Sequence, residues 1–199
     1  MKADLAERPG AREEHSAVIR GAGRERRKTM SELQTPQHRE GHHTYPSPAL
    51  SGKEEAMAEA LIRQRIQDAV KALNAKDIDG VMSLYAPDLV SFDIAPHFGA
   101  LRYFGADNKR RAWEEAFATF TGRFAYEVHE LSVTAHGELA FVHSLNHVNA
   151  TLPSGQITDF WLRWTACFRR IDGLWLVVHD HVSVPADLEH GRAVVNLTP

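Results

Sequence analysis

The sequence predicts an α+β fold in which a curved antiparallel sheet wraps around three N-terminal helices. Helical periodicity occurs only before residue 121, whereas four long segments after it have the composition and alternation of β-strands. Short turn sequences such as His136-Gly137 and Asp172-Gly173 separate these segments, and connections of that length require antiparallel neighbours. Helices packed on one face of an antiparallel sheet are typical of the α+β class.

The first 53 residues differ in composition from the rest of the chain. They contain ten Lys or Arg, seven Asp or Glu, four Pro and one aromatic residue, Tyr45, whereas all four Trp and all nine Phe come later. Such a segment cannot bury enough apolar surface to offset its chain entropy. We therefore expect a disordered tail over residues 1–53, a folded domain over 54–187 and a C-terminal extension over 188–199. Met30 is an alternative start of the chain.

The charge divides at the same boundary. Thirteen basic residues face nineteen acidic ones after residue 53, and an acidic domain argues against nucleic acid as a partner. No apolar stretch approaches the ~18–20 residues of a membrane-spanning helix, and the single cysteine, Cys167, cannot form an internal disulfide. These features predict a cytoplasmic protein that binds neither nucleic acid nor a membrane.

Three helices are predicted from apolar spacing and from their capping residues. The first begins near Ser51 and has one apolar stripe: Ala58, Leu61, Ile62, Ile66, Ala69, Val70 and Leu73. Asp77 is the expected N-cap of a short second helix over residues 78–85, which Pro87 ends. A strand over residues 88–94 and a loop over 95–106 follow. Asp107 is the expected cap of the third helix, over residues 108–120, and Gly122 fits its C-terminal end.

The four long β segments cover residues 124–134, 139–151, 156–171 and 174–184. Alternate residues of a strand lie on opposite faces, and we expect the face that carries polar residues to line a pocket. In the last two strands that face holds Trp161, Arg163, Thr165, His179, His181 and Ser183. The opposite face of the third segment is wholly apolar and includes Leu162, Trp164 and Phe168. An apolar outer face needs a cover, which predicts a homodimer formed through this side of the sheet.

Further candidates for the pocket come from the earlier elements. Tyr85 and Trp113 are expected to project into it from the second and third helices, and Asn146 from the second long strand segment. Asp93 ends the first strand and can act as a general base if it is partly desolvated. Tyr85 can donate a hydrogen bond to an oxyanion, although a packing role is the simpler interpretation.

Arg163 and the two nearby histidines have structural as well as functional interpretations. A buried guanidinium needs an anionic partner, which can be Asp93 or Asp159 in the protein, or an anionic substrate. His179 and His181 lie about 6–7 Å apart on one face of a strand and can hold a metal if His143 or Asp93 supplies a third ligand. The simpler interpretation, hydrogen-bonded histidines without a metal, is the one we adopt, and no cofactor is expected.

Residues 55–187 resemble the SnoaL-like, ketosteroid-isomerase-like family of the nuclear transport factor 2 (NTF2-like) superfamily. The resemblance is carried by Tyr85-Ala-Pro-Asp-Leu-Val-Ser-Phe-Asp93, Tyr103-Phe-Gly-Ala-Asp107, His143-Ser-Leu-Asn146, Trp161-Leu-Arg-Trp-Thr165, Asp172-Gly-Leu-Trp175 and His179-Asp-His-Val-Ser-Val-Pro185. It implies a cone-shaped α+β barrel, commonly dimeric, with a pocket at its open end. In the steroid isomerases of this family an acid moves a proton while a tyrosine and a second acid bind the oxyanion. Asp93 and Tyr85 would take the first two roles, and no second acid is predicted on the inner face.

Two main functions follow as hypotheses. The first is a cofactor-independent isomerase, cyclase or lyase that moves a proton next to a carbonyl, with Asp93 or His181 as the base and Arg163 and Tyr85 at the oxyanion. Its substrate would be a small organic molecule held by the pocket residues Trp113, Asn146, Trp161, Thr165, His179 and Ser183. The second is a ligand-binding or oligomeric scaffold domain without catalysis. A metalloenzyme built on His179 and His181 is a third alternative.

Overall fold

The computed structural model describes residues 51–94, 102–120 and 122–199. The predicted tail, apart from residues 51–53, lies outside these ranges, as does most of the predicted loop over residues 95–106.

Three helices form where the periodicity predicts them, with different ends. Helix α1 spans Gly52–Ala75 and begins with a capping box in which Ser51 and Glu54 bond each other's backbone N–H groups. Helix α2 spans only Ile78–Met82, and its predicted N-cap is confirmed because the Asp77 side chain accepts a bond from the Gly80 N–H. Helix α3 spans Ala106–Thr119 and has Gly105 as its N-cap. The predicted cap, Asp107, lies instead in its first turn.

Six strands form one mixed sheet. They are β1 (Tyr85–Phe92), β2 (Tyr103–Phe104), β3 (Phe124–His136), β4 (Leu139–Thr151), β5 (Ile157–Ile171) and β6 (Leu174–Ser183), in the order β2-β1-β6-β5-β4-β3. The antiparallel meander from β3 to β6 is confirmed. Strand β1 pairs parallel to β6, which the long intervening chain allows. A separate short hairpin of β7 (Ala186–Asp187) and β8 (Arg192–Ala193) follows.

A β-bulge in β6 decides which of its residues face inward. Cys167 of β5 pairs with His179 and Phe168 pairs with Val177, so Val178 is an extra residue in β6. An extra residue shifts all later side chains to the opposite face. Trp175 and Val177 are buried before the bulge and Asp180 after it. A similar register shift lies in β3 between His129 and Ser132.

The core lies between the helices and the concave side of the sheet. Helix α1 contributes Ile62, Ile66 and Leu73, whereas Leu61, predicted in the same stripe, is exposed. None of the described helices is long and apolar enough to cross a membrane.

The predicted orientation of β5 is wrong. Leu162, Trp164 and Phe168, assigned to the outer face, are buried in the core, whereas Arg163 is exposed. The physical reason is that turning the wholly apolar set toward the helices buries more apolar surface than turning the mixed set inward.

Candidate functional site

A cavity of about 320 Å³ lies between the three helices and the sheet. Most of its lining is apolar and comes from helix and strand residues that include Ile66, Leu73, Val81, Leu84, Ala112, Phe120, Phe124, Val148, Phe160 and Leu162. Its polar and polar-tipped lining residues include Tyr85, Asp93, Lys109, Trp113, Tyr126, Asn146, Trp164 and Asp180. A mostly apolar cavity with a few polar groups is the usual form of a small-molecule site.

A buried lysine ties two carboxylates together in this cavity. Lys109, on α3, is 1% exposed, and its Nζ lies 3.0 Å from Ser91 Oγ, 2.9 Å from Asp93 Oδ2 and 3.2 Å from Asp180 Oδ2. The ammonium group donates hydrogen bonds to Ser91 Oγ and Asp93 Oδ2 and forms an ion pair with Asp180. The cluster joins α3 to β1 and β6.

The two aspartates keep this lysine charged. Burial alone would lower the pKa of Lys109, but the nearby charges, those of Asp180 and Asp93 among them, outweigh it and raise that pKa well above its ordinary value. The side chain is therefore an ammonium ion at neutral pH and not a free amine. It lacks the lone pair that a nucleophile or a base needs.

The two carboxylate oxygens of Asp180 differ in their contacts. The residue is fully buried, and its Oδ2 contacts Lys109 and lies 3.5 Å from the indole Nε1 of Trp164. Among the described residues, Asp180 Oδ1 has no hydrogen-bond partner. A buried polar atom in that state lowers stability and needs an explanation. The position of Asp180 on the cavity wall makes a bound ligand one explanation.

Two tyrosines supply neutral donors to the same cavity. Ser144 Oγ donates to Asn146 Oδ1 at 2.7 Å, and Asn146 Nδ2 donates to the Tyr126 hydroxyl at 2.6 Å. Tyr126 can therefore donate its own proton onward, and accepting a hydrogen bond strengthens it as a donor. Burial raises the pKa of both Tyr85 and Tyr126 above the ordinary value of 10.0. Both phenols keep their protons at neutral pH.

Trp113 adds a further donor. It lies on α3, one turn after Lys109, and lines the cavity. Its indole Nε1 is buried and has no hydrogen-bond partner among the described residues. Asp180 and Trp113 thus both line the cavity, and each has one buried side-chain atom without a hydrogen-bond partner among the described residues.

Comparison with known proteins identifies the family of this chain. Residues 62–187 match the family of SnoaL-like domains. The chain belongs to this family. The predicted SnoaL-like and NTF2-like membership and α+β fold are confirmed. No match to the chain was found among curated proteins.

Solved structures place the SnoaL-like domain among NTF2-like proteins. An NTF2-like protein of unknown function from Pseudomonas putida is 34% identical, with a TM-score of 0.65, and the alignment covers 72% of this chain and 98% of that one. A ketosteroid isomerase-like protein from Erwinia carotovora is 24% identical, with a TM-score of 0.53 and coverages of 63% and 94%. A candidate scytalone dehydratase from Novosphingobium aromaticivorans is 15% identical, with a TM-score of 0.59 and coverages of 70% and 93%. The last two likenesses show the fold alone.

Four of the predicted site residues come together in the cavity of the SnoaL-like domain. They are Tyr85, Asp93, Trp113 and Asn146. Asn146 is buried, as predicted, whereas its neighbour His147 lies on the opposite face of β4. Tyr85 reaches the cavity from the start of β1 and not from a helix.

The other predicted site residues lie on the outer face of the sheet. They are Trp161, Arg163, Thr165, His179, His181 and Ser183, in neighbouring register positions of β5 and β6. On β5 the apolar set turned inward instead, and on β6 the bulge at Val178 moved both histidines outward. Neither aspartate proposed for Arg163 bonds to it in the described contacts: Asp93 binds Lys109, and Asp159 accepts bonds from His147 and Asn149.

The two histidines have other contacts on that face. His179 Nδ1 lies 2.9 Å from the Val90 carbonyl, and Phe92 packs edge-on against both His179 and His181. Within the described ranges, no group of three or more His, Cys, Asp or Glu side chains is arranged to hold a metal ion.

The sequence reasoning missed Lys109, Tyr126 and Asp180. Lys109 had a readable signal, since it lies three and four residues before Ala112 and Trp113 and therefore on the apolar face of α3. Tyr126 lies two residues after Phe124 in β3 and therefore on the same face of the strand. Asp180 was assigned to the outer face, and only the bulge brings it inside. It provides the second acid that the inner face was expected to lack.

Proposed function

We propose that this SnoaL-like domain binds a small organic carbonyl compound in its cavity and transfers a proton at the carbon next to the carbonyl, without a cofactor. Isomerisation, cyclisation and elimination all begin with this step. The proposal rests above all on Asp180, a fully buried carboxylate on the cavity wall with one oxygen lacking a partner among the described residues.

Asp180 is suited to accept the proton. Its Oδ1 has lone pairs that no described protein group uses, and the residue lines the cavity. Asp93, predicted from the sequence as the base, is the second carboxylate of the cluster, and its side chain is 18% exposed. A solvent-accessible acid bound to the same ammonium can exchange protons with water after each turnover.

Tyr126 and Tyr85 are suited to bind the carbonyl oxygen as it gains negative charge. Their raised pKa values keep both hydroxyls protonated, and the bond from Asn146 orients the Tyr126 hydroxyl. Fixed donors in a cavity shielded from water stabilise an enolate strongly. Arg163 and His181, which were expected to act as an oxyanion group and a base, lie outside the cavity and have no part in this mechanism.

Lys109 acts as a positioning residue in this proposal. It donates hydrogen bonds to Ser91 and Asp93 and pairs with Asp180, so its charge is already compensated within the protein. It fixes the orientation of both carboxylates and offsets their mutual repulsion.

Exchange of substrate hydrogen with deuterium oxide tests the proposal. A panel of cyclic ketones and β-keto esters is incubated with the protein, and loss of the α-proton signal is followed by proton NMR. We expect exchange above the buffer rate for at least one compound, and a loss of about 100-fold or more in Asp180→Asn. Asp93→Asn shows whether the second carboxylate shares the role.

Asp172→Asn is the matched control. It makes the same chemical change at an exposed position of the β5–β6 turn, where the backbone has φ of 50°, a conformation that Asn tolerates. Exchange should continue at the wild-type rate in this variant. If Asp180→Asn retained full exchange as well, Asp180 would not be the base.

Ligand binding without turnover is the second candidate function. It is favoured by the ion pairs to Lys109, because both carboxylates already have a structural partner inside the protein. Under this function, ketones from the panel would bind, as measured by calorimetry, but their α-protons would exchange no faster than in buffer.

A further inference from the structure

The charge of the cavity limits which ligands it can accept. Lys109 is the only Lys or Arg among the described residues that line it, and its charge is already paired with the carboxylates of Asp93 and Asp180. A ligand carboxylate would lose its water without gaining a cationic partner, and it would lie near the carboxylate of Asp180. The cationic side chain predicted to anchor such a group, Arg163, is exposed on the other face of the sheet.

The donors on the cavity wall outnumber those that one carbonyl oxygen needs. The proposed mechanism uses the hydroxyls of Tyr126 and Tyr85 at the reacting oxygen. The buried Nε1 of Trp113 remains without a partner among the described residues. An N–H group in that state is satisfied when a ligand brings an acceptor to it.

We infer that the substrate is uncharged and carries, besides its reacting carbonyl, a second hydrogen-bond acceptor that binds the indole N–H of Trp113. The inference rests on the proposed function for the role of the carbonyl. Recognition of the second acceptor, and rejection of a carboxylate in its place, are binding properties that do not require turnover. Trp113 is thus a specificity-determining residue for the cavity.

Three matched probes test this inference by calorimetry. They are acetylnaphthalene, the same ketone with a carboxamide on the second ring, and the same ketone with a carboxylic acid there. The carboxamide and the carboxylate have nearly the same shape and differ chiefly in charge. We expect the carboxamide to bind about fivefold more tightly than the plain ketone and about tenfold more tightly than the acid at neutral pH.

Variants of two tryptophans test whether Trp113 causes the preference for the carboxamide. Trp113→Phe removes the N–H and should abolish the preference for the carboxamide over the plain ketone while the acid remains the weakest ligand. Trp161→Phe makes the same change on the outer face, where the ring stacks on His147, and should leave all three affinities unchanged. Asp180→Asn removes the negative charge near the ligand and should reduce the difference in affinity between the carboxamide and the acid.

The affinities of the wild-type protein test the inference even if Trp113→Phe fails to fold. An acid that binds within about twofold of the carboxamide would overturn the exclusion of anions. A carboxamide no tighter than the ketone, or a preference that persists in Trp113→Phe, would overturn the role of Trp113. Exchange of the acetyl protons into deuterium oxide, measured on the same complexes, tests the proposed function separately: tight binding without exchange refutes catalysis and leaves the inference standing.

Discussion

Asp180 and Lys109 form a buried pair whose members depend on each other. Taking either charge out of water costs several kcal/mol, and the opposite charge offsets much of that cost only while both are present. Lys109 donates hydrogen bonds to Ser91 and Asp93 and pairs with Asp180, so its charge is compensated without a ligand. Asp180 keeps one oxygen unpartnered among the described residues. Asp180 is therefore the member of the pair that has a side-chain atom without a hydrogen-bond partner among the described residues.

Replacing the lysine should expose this dependence. Lys109→Met leaves Asp180 buried with only the long contact from Trp164, and we expect the free energy of unfolding to fall by about 3–5 kcal/mol. Denaturant titration measures this. Adding Asp180→Asn to the variant removes the uncompensated charge and should restore part of the loss.

Lys71→Met is the matched control for that substitution. Lys71 is exposed and pairs with Asp68 on the surface of α1, and such pairs contribute at most about 1 kcal/mol. A loss in Lys109→Met no larger than in this control would show that the buried cluster does not stabilise the fold.

At the scale of elements, α1 and α2 approach each other closely at a glycine. A Cβ added at Gly80 would lie 2.6 Å from Asp77 Oδ2 and 2.7 Å from the Cβ of Ala72, which is buried on α1. Asp77 caps α2 from that position. The contact between the two helices thus depends on the absence of a side chain at residue 80.

Gly80→Ala should therefore destabilise the protein although alanine favours helices. We expect a loss of about 1–3 kcal/mol from the clash, together with weakening of the cap. Gly52→Ala is the control, because a Cβ there meets nothing within 4 Å and should leave stability unchanged or slightly raised. Thermal unfolding followed by circular dichroism compares them, and equal melting temperatures for the two variants would contradict the packing argument.

The elements differ in how far the sequence predicts them. The spacing of Ile62, Ile66 and Leu73 is enough to place α1, and Asp172-Gly173 is enough to pair β5 with β6, because both signals are local. No local sequence pattern marks the bulge at Val178 in β6, because the extra residue is a valine, which is common in regular strands. The orientation of β5 was undetermined locally because both of its faces contain a tryptophan, Trp161 on one and Trp164 on the other.

These two gaps explain the errors in the predicted site. The segments are predicted correctly, but the reversed orientation of β5 exchanges its inner and outer residues, and the unrecognised bulge does the same for the part of β6 after Val178. Arg163 and His181 then replace Asp180 in the predicted pocket. Residues on elements without a bulge, such as Trp113 on α3 and Asn146 on β4, line the cavity as predicted.

At the scale of the molecule, the outer face of the sheet is mixed in character. The residues predicted to form an apolar outer face, Leu162, Trp164 and Phe168, are in the core. The outer face instead has Phe141 beside Cys167 and His179, and Trp161 stacked on His147. Phe141 is 48% exposed and Phe92 is 40% exposed. Aromatic side chains are enriched at protein–protein interfaces.

We therefore still propose a homodimer through this face, now on different residues from those first expected. Sedimentation velocity at micromolar concentration should give a dimer for the wild type, because pairing two copies of the sheet covers Phe141 and Phe92 together. Phe141→Asp places a charge in the centre of that contact and should shift the protein to monomer. Leu188→Asp is the control, since Leu188 is 90% exposed and follows β7 outside the sheet. A wild-type monomer would refute the homodimer. A dimer that remains intact in both Phe141→Asp and Leu188→Asp would show that the interface lies elsewhere.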